Sequence, residues 1–269
     1  MGAGTLVAEG KETRVVDGET YYLNDTDQYS KLGSTSHDGK LAFVLPNRTC
    51  EVIRAAKGCA DKTDTVYTLS LANNGKTQVG IARRYFGGHY GGKNRYFSEL
   101  PPEERKRYFQ EVVSDVAQGG KAIGELTTKF DTYPGLEQYT VEVDHYSVVD
   151  GKYCYFDLPF SPSLFALGAD HRTLPLFISW QGENTVRTEI EMPPGFKRVD
   201  IAPKNQDLSA PGGAGGTRIT SRDAAGKRVI THDFETSPAI INPEDYPAML
   251  KLEAALGQKS SKVFLLEKQ

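Results

Sequence analysis

The chain has 269 residues, 38% of them hydrophobic and 25% charged, with a formal net charge of −3. This composition excludes a disordered chain, and at roughly 100–200 residues per domain the length allows two domains and part of a third. So small a net charge supplies no field to draw in nucleic acid or an anionic membrane surface, and no run approaches the roughly 18 apolar residues of a membrane span.

Met1–Gly10 lacks the basic start and apolar run of a secretory signal. Thr13–Val16 and Tyr21–Leu23 flank Asp17-Gly18, a pair suited to a tight hairpin turn. Asn24-Asp25-Thr26-Asp27 is acidic but lacks the third ligand and the glycine of a calcium loop, so an Asx-turn is the simpler reading. Asp38-Gly39 gives a second turn signal. Tyr67, Leu69 and Leu71 then alternate with Thr68 and Ser70, and Val79 and Ile81 resume the alternation after the turn at Asn73–Gly75.

Arg83–Phe97 is the most unusual stretch, interleaving Arg83, Arg84, Tyr85, His89, Tyr90 and Arg95 with four glycines. Such a stretch suits a contact loop for a glycan, peptide or polyanion, with rings for stacking and cations as donors. The plainer reading is a strand end and a glycine-rich crossover whose aromatic residues pack inward. A helix follows from about Pro101 to Gln118, with Glu103 and Glu104 in its first turn and Tyr108, Phe109, Val112, Val113 and Val116 on one face.

Val141 and Val143 mark another strand, and Asp150-Gly151 turns the chain into Tyr153–Leu158. Pro159–Pro162 suits a domain joint, and Trp180, the only tryptophan, is expected to anchor a core. Val186, Thr188, Ile190 and Met192 share a strand face, and Ile219, Val229, Ile230 and Phe234 mark a further pair. A second helix is expected over Pro243–Leu256, with Asn242 as its N-cap and Gly257 as its stop, before a closing strand at Val263–Leu266.

The fold class is therefore mainly β (α+β). The expected organisation is a short β segment over 1–60, a β-sheet domain over 61–160 with one packed helix, and a β-sandwich over 161–269 with another.

Chemistry is sparse. The five histidines are scattered singly, and no nucleophile elbow, phosphate loop, zinc-protease helix or paired Cys-x-x-Cys occurs. No metal or cofactor is expected. Cys50 and Cys59 would pair only in an oxidising compartment, and three free thiols is the simpler reading.

Tyr21-Tyr22-Leu23-Asn24-Asp25-Thr26 resembles the segment of bacterial transglutaminase-like proteins that carries the third member of a Cys-His-Asp triad. Leu100–Arg105 with its helix, and Ile241-Asn242-Pro243-Glu244-Asp245-Tyr246-Pro247, are similar to the regions appended after that domain. The resemblance puts the family's aspartate at Asn24, or at Asp25 one residue on. Its cysteine and histidine would precede this point, where residues 1–20 hold neither.

The resemblance thus implies the end of a transglutaminase-like domain followed by two β-domains. That implies a non-catalytic accessory or interaction region of an exported bacterial protein, in the cell envelope, periplasm or medium. The missing N-terminal transglutaminase-like domain would be its first partner, and another protein or a glycan a further one. Two other readings stay open. One is a fragment of an active cysteine acyltransferase or peptidase whose thiol and imidazole lie upstream. The other is a glycan-binding β-sandwich, which needs Tyr85, Tyr90 and Trp180 exposed on one face.

Overall fold

Alternating apolar and polar residues build most of this chain into strands, as Tyr67, Leu69 and Leu71 show by turning to the buried side of theirs. The computed structural model describes residues 12–16, 19–23, 28–44, 48–224 and 226–268. It is mainly β with three α-helices. The elements run β1 (Glu12–Val16), β2 (Glu19–Leu23), β3 (Leu41–Val44), β4 (Thr49–Val52), β5 (Lys62–Leu71), β6 (Thr77–Phe86), α1 (Gly87–Glu99), α2 (Pro102–Val116), β7 (Lys121–Lys129) and β8 (Gly135–Val143). They continue with β9 (Val148–Asp150), β10 (Tyr153–Asp157), β11 (Leu176–Ile178), β12 (Gly182–Glu191), β13 (Phe196–Ile201), β14 (Gln206–Ser209), β15 (Gly215–Ala224), β16 (Lys227–Thr236), β17 (Ala239–Ile241), α3 (Tyr246–Leu256) and β18 (Val263–Lys268).

The chain forms two compact units, one of residues 1–63, 84–100 and 128–136 and the other of 64–83, 101–127 and 137–269. The first holds two antiparallel hairpins and α1. In β1–β2, Val16 faces Glu19, the register a two-residue turn imposes, and in β3–β4 Leu41 faces Val52. The turn pair Asp17-Gly18 itself lies outside the described residues.

The second unit holds most of an eight-stranded sheet of order β14-β15-β16-β12-β5-β6-β8-β7, a four-stranded sheet of order β13-β18-β10-β9, and the pair β11–β17. One contiguous core joins the inward side chains of these sheets: Leu69, Ile81, Val141, Ile190 and Ile230 from the large one, Cys154, Phe156, Phe264 and Leu266 from the smaller, and Ile178 and Ile241 from the pair. This is a sandwich-like arrangement in which each inward row is apolar because every second residue is. The helices complete it, α2 with Val112 and Val113, α3 with Tyr246, Met249 and Leu256.

Helix α2 lies where its apolar spacing puts it, with Glu103 and Glu104 in its first turn. Helix α3 starts three residues later than expected. Asn242 is not its cap: the Asn242 carbonyl accepts the amides of Asp245 and Tyr246, so a turn precedes the helix and Asp245 takes the cap position. Pro159–Pro162 runs as a loop within the second unit, and the segment after it is moored by Glu253, whose carboxylate accepts the Ser163 hydroxyl and the amides of Leu164 and Phe165. Trp180 is no core anchor: it is 46% exposed, because β11 ends at Ile178 and the inward alternation stops with it.

Strand β7 is the outer edge of the eight-stranded sheet, and among its residues only Leu126 and Thr128 are even half-buried. Gly124, near the middle of this edge, adopts at φ +74 the left-handed conformation that a residue with a side chain resists.

Candidate functional site

The glycine-rich stretch is a helix, not a crossover. Four glycines in thirteen residues cost such a helix about 1 kcal/mol each relative to alanine, so its neighbours must hold it. They do so by close approach. A side chain on Gly87 (φ +57) would collide with the Asp61 carboxylate and with the Ala60 carbonyl, 2.7 Å away, and one on Gly91 would meet Ser30 Oγ at 2.6 Å. The first two amides are capped from elsewhere in the chain. Gly87 N–H donates to the Tyr133 hydroxyl (3.1 Å) and Gly88 N–H to Asp61 Oδ1 (2.5 Å). Tyr133 in turn donates to the Gly58 carbonyl at 2.8 Å. Burial raises the Tyr133 pKa, which keeps the phenol a donor.

The aromatic candidates converge and the basic ones do not. Tyr85 and Tyr90 are both buried, with ring centroids 6.2 and 5.8 Å from that of Phe130, and the Tyr90 hydroxyl donates to the Phe130 carbonyl at 2.7 Å. Desolvation raises the Tyr90 pKa. Lys93 places its ammonium over Tyr85, Tyr96 and Phe97 at 5.5–5.7 Å, so the cation of this cluster is already engaged by rings of the same segment. Arg83 lies over the Tyr139 ring at 6.0 Å, Arg84 is exposed, His89 Nδ1 is 3.0 Å from Thr63 Oγ1, and Arg95 pairs with Glu99 one helical turn on. With Tyr85 and Tyr90 inside, these rings form a small core and not a stacking platform. Asn24 and Asp25 lie outside the described residues. The three cysteines form no disulfide with one another, Cys50 being exposed and Cys59 and Cys154 buried; burial raises the Cys154 pKa, as expected of an unreactive thiol.

A surface the sequence reading passed over lies on the four-stranded sheet. Along β10, Cys154 and Phe156 point inward while Tyr153 and Tyr155 point out. Cross-strand register puts Tyr155 beside Val148 of β9 and Leu265 of β18, and Leu265 beside Ile201 of β13. An apolar row therefore crosses all four strands, with Val148 61%, Tyr155 40% and Ile201 45% exposed. The charges next to it are paired with one another: Glu267 meets Lys152 (2.5 Å) and Arg198 (2.9 Å), and Arg198 also meets Asp200 (2.7 Å). The signal was present in Tyr153-Cys154-Tyr155-Phe156, which is apolar on both strand faces, whereas a strand with one face in water alternates.

No protein-family model matches the chain, and no curated protein matches it.

Proposed function

We propose that the chain is a non-catalytic interaction region that docks a protein partner on the outer face of the four-stranded sheet. The row Val148–Tyr155–Leu265–Ile201 carries this reading, because an apolar stripe in register across every strand of a sheet removes water from both surfaces when a partner covers it. The flanking ion pairs of Glu267 with Lys152 and Arg198 leave no unpaired cation there to recruit a polyanion. A folded protein surface with its own apolar patch suits it best. The resemblance of residues 21–26, 100–105 and 241–247 to transglutaminase-like proteins makes the natural partner a domain of that kind, in an exported bacterial polypeptide.

The test is a photoreactive phenylalanine analogue in place of Tyr155, with the same group at exposed Glu183 as control, illuminated in the native organism. Cross-linked peptides from a transglutaminase-like polypeptide, formed from position 155 and not from 183, are the expected result. Cross-links to carbohydrate alone, or the same products from both positions, would overturn the reading.

A further inference from the structure

Strand β16 carries an imidazole into the core of the second unit. His232 is 0% exposed, and neither ring nitrogen has a hydrogen-bond partner among the described residues. Buried polar groups without partners are few in folded proteins, and each calls for a reason. Two more lie beside it on the inward face of the same sheet. Register puts His232 opposite Val186 of β12 and Ile219 of β15, and two residues along those strands are Thr188 and Thr217, whose buried hydroxyls are also unpartnered.

Little charge reaches the ring. β12 and β15 face it with Val186, Thr188, Ile219 and Thr217, and Phe234 of its own strand stacks on it (6.0 Å, 14°). The charge it feels is that of Asp233, which points to the opposite face of the sheet and accepts the Thr185 hydroxyl at 2.9 Å. Burial outweighs this charge and pushes the His232 pKa down to about 4. The remaining cover is Phe160, edge-on to the imidazole (5.0 Å, 89°) and stacked on Tyr67 of β5 (5.9 Å, 6°). Around Phe160 on its outer side are the carboxylates of Asp115 and Asp157, with Lys262 Nζ 4.0 Å from Asp157.

These covers are held in different ways. Continuous antiparallel ladders tie β16 to β12 and β15. Among the described residues, 159–162 form no backbone hydrogen bond with the rest of the backbone, and Pro159 and Pro162 have no N–H to offer. Both ends are anchored: the Leu158 amide donates to the Lys262 carbonyl at 2.8 Å, and Glu253 accepts the amides of Leu164 and Phe165. Between the anchors the strap is held by side-chain contacts, and the half-buried Phe160 ring touches the imidazole on one side and solvent on the other.

We propose that residues 159–163 are an acid-opened flap: when His232 takes up a proton, Phe160 leaves the imidazole while the sheets stay folded. Lifting one ring hydrates the new charge at the cost of side-chain contacts, whereas exposing it through the sheet would break ladder hydrogen bonds. Covered, the imidazole stays neutral down to about pH 4; in water it charges near pH 6.5. Acid therefore favours the open form throughout that interval, by about tenfold per pH unit, and closure is complete above it.

The test is fluorine NMR of the whole chain with 4-fluorophenylalanine at position 160 and, in separate samples, at the fully buried positions 156 and 264. Solvent exposure is read as line broadening by a neutral gadolinium chelate between pH 7 and pH 4.5. From pH 6 to pH 5 the exposed population at position 160 is expected to rise about tenfold, with positions 156 and 264 unchanged. His232→Phe is expected to abolish the rise; should that variant not fold, the comparison of the three positions in the parent decides alone. No rise at position 160, a rise at all three positions together, or the same rise in His232→Phe would each overturn the proposal.

Discussion

Helix α1 and strand β10 carry similar aromatic loads and dispose of them in opposite ways. Around α1, Tyr85 and Tyr90 turn onto Phe130, and solvent meets Arg84, His89 and Arg95. On β10, Cys154 and Phe156 fill the inward side and leave Tyr153 and Tyr155 facing out. The first region spends its rings on folding because its glycines offer nothing else to bury. The second already has an inward set, so its remaining rings stay at the surface, where Lys152 lies over Tyr153 and Tyr155 keeps a 40% exposed ring. Aromatic density alone therefore does not mark a binding surface; what matters is whether another set of side chains has filled the core.

Substitutions can break that contrast, and the largest effect is expected from Tyr90→Ala. It removes a buried ring from the small core of the first unit and should cost about 3–5 kcal/mol, read by chemical denaturation or by faster hydrogen exchange across residues 87–99. If Tyr90→Ala cost no more than a change at Tyr155, the distinction between the two regions would fail.

His232 sharpens the picture within the second unit. Its ring is fully buried between Phe160 and Phe234, neither nitrogen has a hydrogen-bond partner, and burial pushes its pKa down to about 4 against some opposition from Asp233. The unfolded chain takes up this proton near pH 6.5 and the folded chain only near 4, so stability is full above pH 6.5 and falls by about 3 kcal/mol as the pH drops through that window. His232→Phe should flatten this part of the stability–pH curve, measured by thermal unfolding from pH 7 to pH 4. An unchanged slope would show that another group sets it.

Tyr90→Phe keeps the ring and removes only the hydroxyl donated to the Phe130 carbonyl, so a loss of about 1 kcal/mol by denaturation is expected. The smallest effect belongs to Tyr155→Ser, which should stay within about 0.5 kcal/mol of the parent while abolishing cross-linking by the same photoreactive group placed at exposed Val148.

The mainly β fold was legible because alternation and turn residues are local signals: Tyr67–Leu71, Val141–Val143 and Val186–Ile190 all form the strands their spacing implies, with Met192 just past the end of its strand. Helix α2 was legible for the same reason, its apolar residues recurring at helical period. Helix α1 was not, because its propensity is poor and its stability comes from Asp61, Ser30 and Tyr133, which are distant in sequence. The outward row on the four-stranded sheet was half legible. The two-faced pattern of β10 is visible in its residues, but the register that aligns Val148, Tyr155, Leu265 and Ile201 depends on four strands drawn from separate parts of the chain.

The left-handed residue Gly124 bears on how many molecules can join together. A foreign strand arriving at β7 could copy the ladder along Lys121, Ala122 and Ile123, but the left-handed glycine then throws its remaining peptide groups out of line. A left-handed residue in an edge strand works against open-ended stacking of sheets through that border. A protein that displays a greasy stripe on one sheet can in this way form a discrete complex without growing into a fibre.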